Sequence, residues 1–208
     1  MKITFISDTH GLHDQLDLGE TDLLIHAGDL SSRGTMGEIN SFLNWFKALP
    51  IRHKVFIGGN HDFLLEKQPA VFRQMLTDDY IYLENEMIEI EGIKIWGSPI
   101  TPYFFNWAFN RSRGSDIKKY WDLIPEEVDI LVTHGPALGI GDKTGRGENV
   151  GCEDLLAAVK KVKPRYHVFG HIHEAYGITQ EEETIFVNAS VVNLAYQVVN
   201  APTVVEYE

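Results

Sequence analysis

The chain has 208 residues, 44% hydrophobic and 23% charged, enough for one domain with a real core. A formal net charge of −12 argues against a broad basic surface for extended nucleic acid, but not against small anionic substrates, because a bound cation can dominate a local field. The single cysteine, Cys152, rules out an internal disulfide framework. No window approaches a membrane span and the N-terminus lacks a signal-peptide apolar stretch, so a cytoplasmic location is expected.

Short apolar runs rich in β-branched and aromatic residues read as buried strands. The first are "KITFIS" from Lys2 and "DLLIHAG" from Asp22. "TMGEINSFLNWFKALP" then predicts a helix, with Thr35 and Glu38 at capping-box spacing, Met36, Ile39, Leu43 and Phe46 on one face, and Pro50 as the stop. The strands "HKVFIGG", "IKIWGS" and "VDILVTHG" follow. "GCEDLLAAVKKVKP" predicts a second helix, acidic at its start and basic at its end as the helix dipole favours. "YHVFG", "TIFVNAS" and "PTVVEYE" complete the strands. Strand–helix–strand alternation followed by closely spaced strands reads as an α/β fold of helix-covered sheets, a single domain over residues 1–208.

Functional groups in such folds gather beyond the C-terminal ends of strands. After successive apolar runs come Asp8 and His10, then Asp29, then Asn60 and His61, then His134, then His171 and His173. A lone Asp-x-His or His-Gly-Pro is ordinary turn chemistry, but this joint occurrence at strand ends points to a dinuclear metal centre. Histidine with carboxylate suits divalent Mn, Fe, Zn, Ni or Co, and two such ions can clamp a phosphate and activate a water. Neighbouring glycines (Gly11, Gly28, Gly59, Gly135, Gly170) permit tight turns and close approach to the backbone.

The ordered blocks "DTH", "GD", "GNHD", "HG" and "GHIH" resemble the signature of calcineurin-like metallophosphoesterases. Longer phrases, among them "WGSPITPYFFNWAFN" and "HVFGHIHEAYG", resemble the metallophosphoesterase-domain-containing group within it. The resemblance implies two packed mixed β-sheets flanked by helices, an α/β/β/α sandwich. It implies that Asp8, His10, Asp29 and His173 hold one metal and Asp29, Asn60, His134 and His171 the other, with Asp29 bridging. Manganese is the favoured ion. His171 and His173, two apart in an extended segment, would each reach one ion while Ile172 turns inward.

The function expected from this resemblance is hydrolysis of small phosphodiesters, nucleotides and cyclic nucleotides foremost, by a hydroxide bridging the metals. His61 is the catalytic candidate that stabilises the transition state or protonates the leaving alkoxide. A phosphomonoesterase and a nucleotide-binding regulatory protein with weak catalysis stand as alternatives. The residues after Asp29 read "LSSRG" in place of "GDxVDRG", which disfavours a Ser/Thr-protein phosphatase. The aromatic stretch "TPYFFNWAFNRSRG" is a candidate lid, with Asn106, Trp107 and Asn110 as substrate contacts, and the Gly-rich stretch offers Arg146 to a phosphate. His26 and Cys152 read as packing residues, His13, His53 and His167 as structural or exposed, and Asp62 as either a turn residue or one that orients its neighbours.

Overall fold

The computed structural model describes residues 1–208. Its strands are β1 (Lys2–Ile6), β2 (Leu23–His26), β3 (His53–Phe56), β4 (Ile81–Tyr82), β5 (Glu86–Ile90), β6 (Ile93–Ser98), β7 (Thr101–Pro102), β8 (Asn110–Arg111), β9 (Ile130–Thr133), β10 (Tyr166–Phe169), β11 (Gly177–Glu181), β12 (Thr184–Asn188) and β13 (Thr203–Glu206). The helices are α1 (Met36–Ala48), α2 (Phe63–Lys67), α3 (Pro69–Arg73), α4 (Ser115–Trp121) and α5 (Glu153–Val162). No helix is long and apolar enough to cross a membrane.

One sheet runs β13-β1-β2-β3-β4 and the other β11-β12-β10-β9-β6-β5, with a small β7-β8 pair apart. β1 to β4 are parallel, as are β6, β9, β10 and β12. Antiparallel β13 closes an edge of the first sheet, and β5 and β11 close the edges of the second.

Side chains alternate across each sheet with period two, and this alternation builds the layers. Ile3, Phe5, Leu23, Ile25 and Val55 of the first sheet share one buried cluster with Ile93, Ile95, Ile130, Val132, Tyr166, Val168 and Val187 of the second, so the sheets pack face to face. The intervening residues Ile6, Leu24 and Phe56, and on the other sheet Trp96, Leu131, Phe169 and Phe186, belong to a second cluster that takes in the helices. The result is the expected α/β/β/α sandwich.

The helix α1 begins with the capping box: Thr35 Oγ1 accepts from the Glu38 amide at 3.3 Å, and Glu38 Oε2 accepts from the Thr35 amide at 2.9 Å. Its inner face is Ile39, Phe42, Leu43 and Phe46, all buried. Phe42 stacks on Phe46 at 5.0 Å and meets Phe56 edge-on at 5.5 Å. Each fully buried ring contributes roughly 2–3 kcal/mol of transfer free energy. Met36, expected on this face, is instead 51% exposed at the first position of the helix. The helix α5 ends as its sequence suggests, with Lys163 in the left-handed conformation (φ 52°) ahead of Pro164.

Candidate metal centre

Every residue of the predicted constellation lies just past the C-terminal end of a parallel strand. Asp8 and His10 follow β1, Asp29 follows β2, Asn60 and His61 follow β3, His134 follows β9, and His171 and His173 follow β10. The first three strands belong to one sheet and the last two to the other, so the site straddles the joint between them. Two backbone bonds cross that joint, Ser7 donating to Ala189 at 2.9 Å and Val191 to Ser7 at 3.0 Å, while others tie neighbouring loops within each sheet: Asp8 donates to Gly28 at 2.9 Å, His10 to Asp29 at 3.0 Å and Gly170 to His134 at 3.0 Å. Four of the candidate ligands, Asp8, His10, Asp29 and His171, have positive φ (57°, 44°, 57° and 68°). Non-glycine residues adopt that conformation at a cost, and it persists where surrounding contacts over-determine it.

The donor atoms fall into overlapping groups: Asp8, His10 and His173; His10, Asp29 and His61; and Asp29, His134 and His171. His10 Nε2 lies 3.3 Å from His173 Nε2 and 3.7 Å from Asp29 Oδ2. His173 Nε2 is 3.5 Å from Asp8 Oδ1. On the other side, His134 Nε2 is 3.4 Å from Asp29 Oδ2 and 2.9 Å from Asn60 Oδ1. His61 Nε2 stands 4.0 Å from Asp29 Oδ2. Ligands about 2.1 Å from a divalent ion lie roughly 3.0–3.4 Å from one another in octahedral or tetrahedral arrangement, so the spacings of 2.9–3.5 Å fit metal binding, the 3.7 Å His10–Asp29 pair is somewhat wider, and His61 at 4.0 Å stands outside the ligand set.

The outer nitrogens support the same fit. Nδ1 of His10 faces the Ser31 carbonyl at 3.2 Å, that of His61 faces Ser32 at 2.7 Å, that of His134 faces Ala27 at 2.9 Å, and that of His173 faces Asn193 at 3.3 Å. A carbonyl only accepts, so each Nδ1 carries a proton and leaves Nε2 as the ring atom turned inward, where it can ligate a metal once it has no proton of its own. Lone pairs and carboxylates converging in a buried space need cations between them.

The electrostatics of these side chains agree. Burial alone would raise both carboxylates, but His173 beside Asp8 and His134 beside Asp29 hold them well below the ordinary range. Burial opposes the His134 cation, yet Asp29 outweighs it and lifts that imidazole to about 9. Burial, reinforced by His134, pushes His171 down to about 4. A divalent ion bound beside Asp29 would compete with a proton for the His134 ring.

Two expectations about local structure need correction. The segment after β10 is not extended. His171 takes a left-handed turn and His173 opens a short 3₁₀ turn over His173–Ala175, so i, i+2 alternation is not what aims the rings. The His171 amide instead donates to both oxygens of Asp8, at 3.1 and 3.0 Å, and Ile172 packs inward as expected, 6% exposed. Among the predicted substrate contacts, Trp107 lines the cleft and lies over His61 with ring centroids 4.3 Å apart. Asn106 and Arg146 are solvent-exposed or outside the cleft lining. Asn110 is spent on its own loop, donating to the Phe104 carbonyl at 2.6 Å and accepting from Thr101 Oγ1 at 2.9 Å.

The supporting residues behave as their sequence context suggests. Asp62 is fully buried and accepts from the amides of Leu30, Ser31 and Gly59 and from Ser31 Oγ, tying the Asp29 loop to the Asn60 loop. Burial and the nearby Asp29 raise it to about 7. His26 bonds Thr9 Oγ1 at 2.9 Å, away from the donor groups. Phe104, Leu194 and Tyr196 also line the cleft, which has a volume near 200 Å³. Phe104 belongs to the aromatic stretch expected to form a lid, whereas nothing in the sequence singled out Leu194 and Tyr196 beyond their being apolar residues inside the polar turn "NLAYQ".

Comparison with known proteins accords with this architecture. The calcineurin-like phosphoesterase family matches residues 1–175. Metallophosphoesterase domain-containing protein 1 of human and of mouse are each 40% identical over 225 residues, covering 97% of this chain and 69% of theirs. A UPF0046 protein of Caenorhabditis elegans is 38% identical, covering 98% of this chain and 59% of its own. The solved phosphopantetheinyl hydrolase of Mycobacterium tuberculosis shares the fold at a TM-score of 0.66 and 16% identity, over 94% of this chain and 90% of that one. The fold and site define a metallophosphoesterase. The chain belongs to the calcineurin-like phosphoesterase family, which makes it a metal-dependent phosphoester hydrolase.

Proposed function

We propose that this chain, read as one domain over residues 1–208, hydrolyses small phosphodiesters, with nucleotides as the foremost class. Asp8, His10, Asp29 and His173 would hold one divalent ion, and Asp29, Asn60, His134 and His171 the other, with manganese favoured over Fe, Zn, Ni or Co. The observation that carries the reading is the Asp29 carboxylate: its Oδ2 is approached by His10 Nε2 at 3.7 Å and by His134 Nε2 at 3.4 Å, the arrangement a shared ligand requires. When bound, a pair of divalent ions supplies Lewis-acid activation of water and neutralises charge on the phosphoryl oxygens.

The side chains supply the rest. His61 is fixed by its Nδ1–H bond to Ser32 and presents Nε2 to the cleft, where it stabilises the transition state or gives a proton to the leaving alkoxide. The backbone amide of His61 donates to Asp29 Oδ1 at 2.8 Å, so the candidate acid and the shared carboxylate are held in one unit. No Lys or Arg lines the cleft. A monoester dianion calls for more fixed positive charge than a diester monoanion, so this lining favours the diester.

The test is the initial rate on bis(4-nitrophenyl) phosphate beside 4-nitrophenyl phosphate, with metal-stripped and Mn-reconstituted protein. A Mn-dependent diester preference supports the reading; a monoester preference or a rate indifferent to metal overturns it.

A further inference from the structure

We propose that Leu194 and Tyr196 form a specificity wall which, facing Trp107 and Phe104 across the cleft, clamps a flat, uncharged aromatic substituent carried close to the phosphorus of the substrate. The proposal rests on the phosphoester reading above and adds the recognition of one ester group.

The wall lies in the loop between β12 and β13, beyond the residues that match the family. The loop is built around Asn193. Its Oδ1 accepts from the amides of Ala195 at 2.9 Å and Gln197 at 3.1 Å, and its carbonyl accepts from the Tyr196 amide at 2.9 Å. The same carbonyl takes the Nδ1–H of His173 at 3.3 Å, which pins the loop to the candidate metal centre. Within this turn Tyr196 has φ 54°, a conformation that favours glycine and is uncommon for a bulky residue. Strain of this kind marks a side chain whose placement matters.

The placement is specific. The Tyr196 ring meets His10 edge-on at 4.8 Å and His173 at 5.5 Å, and it lines the same cleft as Asp29 and Asn60. His61 packs against both walls, with ring centroids 4.3 Å from Trp107 and 6.3 Å from Tyr196. Tyr196 is nevertheless 45% exposed, Leu194 64% and Phe104 50%. Exposed apolar side chains gathered at the mouth of a polar centre mark where a ligand's apolar part lies. With no Lys or Arg in the lining, that part is recognised by its face and carries no negative charge of its own.

The experiment uses the full-length, Mn-loaded protein and two non-hydrolysable probes, phenylphosphonate and methylphosphonate, titrated calorimetrically into wild type, Y196F and Y196A. Wild type is expected to bind the phenyl probe more tightly. Y196A loses that preference by about tenfold, the scale of one aromatic stacking contact, with methylphosphonate affinity and metal content unchanged. Y196F retains the preference, because the ring face remains. Equal affinities in wild type, an unchanged preference in Y196A, or equal weakening of both probes would overturn the proposal; the last would make Tyr196 a mere support for its histidines. Parallel rates on the nitrophenyl esters separate the two readings. A phenyl preference that depends on Tyr196 without diester hydrolysis keeps the wall and removes the phosphodiesterase reading. Diester hydrolysis without such a preference does the reverse.

Discussion

Gly170 precedes the two histidines of "GHIH", and the structure explains why a glycine stands there. A Cβ at this position would lie 2.0 Å from Asp8 Oδ2 and 2.2 Å from Ser7 Oγ, where ordinary contacts begin at 3.4 Å. Gly170→Ala therefore forces the Asp8 carboxylate to retreat by more than about 1 Å, in a site where it is completely buried. The retreat breaks the charge-assisted bonds from the His171 amide at 3.0 and 3.1 Å, at about 1.5–3 kcal/mol, and overpacking adds about 1–3 kcal/mol. A loss of about 3 kcal/mol is expected in urea unfolding of the metal-stripped protein, together with lost metal occupancy. Gly37→Ala is the control. Its Cβ meets nothing within 4 Å, and it sits in α1, where alanine is favoured by about 0.5–1 kcal/mol. Loss below about 0.5 kcal/mol in Gly170→Ala, or equal losses in both variants, would refute the argument that the glycine exists to admit Asp8.

Other substitutions separate the roles within the site. Asn60→Ala removes the oxygen 2.9 Å from His134 Nε2 and is expected to lower bound metal from two equivalents toward one, counted by elemental analysis. His61→Ala is expected to reduce turnover by roughly 10²–10⁴-fold with metal content intact, and an unchanged rate would remove His61 from the chemistry. Acid sensitivity follows from His26 and His167, both fully buried and each pushed down to about 3 by desolvation. A histidine with a depressed folded value is neutral in the fold and charges on unfolding. Its contribution is complete above the unfolded value near 6.5 and is lost as pH falls toward 3. Between pH 7 and pH 5 each costs about 2 kcal/mol, so His167→Gln is expected to shrink the pH 7 to pH 5 stability difference by that amount in paired urea titrations.

The strands that carry the site were legible because both faces of each are buried, which writes a continuous apolar run into the sequence. Ile3 to Ile6 and Ile130 to Val132 are examples. The edge strands β5 and β11 escaped for the opposite reason. Segments "EMIEI" and "GITQE" are largely exposed and mix charge with apolar residues. The candidate ligands were readable from their chemistry and their position at strand ends. Their aim was not, because it depends on left-handed backbone at Asp8, Asp29 and His171 and on carbonyls contributed by Ala27, Ser31, Ser32 and Asn193, which no spacing reports. Asn110 carried the residue type of a substrate contact but is consumed by its own turn. Tyr196 lacked any such mark, since a turn tyrosine is ordinary until the fold brings it to His10.

The central claim is a pair of divalent ions held around one shared carboxylate. It is tested most directly by anomalous scattering from crystals of the protein grown with manganese. The account predicts two peaks, one among Asp8, His10 and His173 and the other among Asn60, His134 and His171, with Asp29 bonded to both. A single peak, or peaks that leave Asp29 unligated, would contradict it.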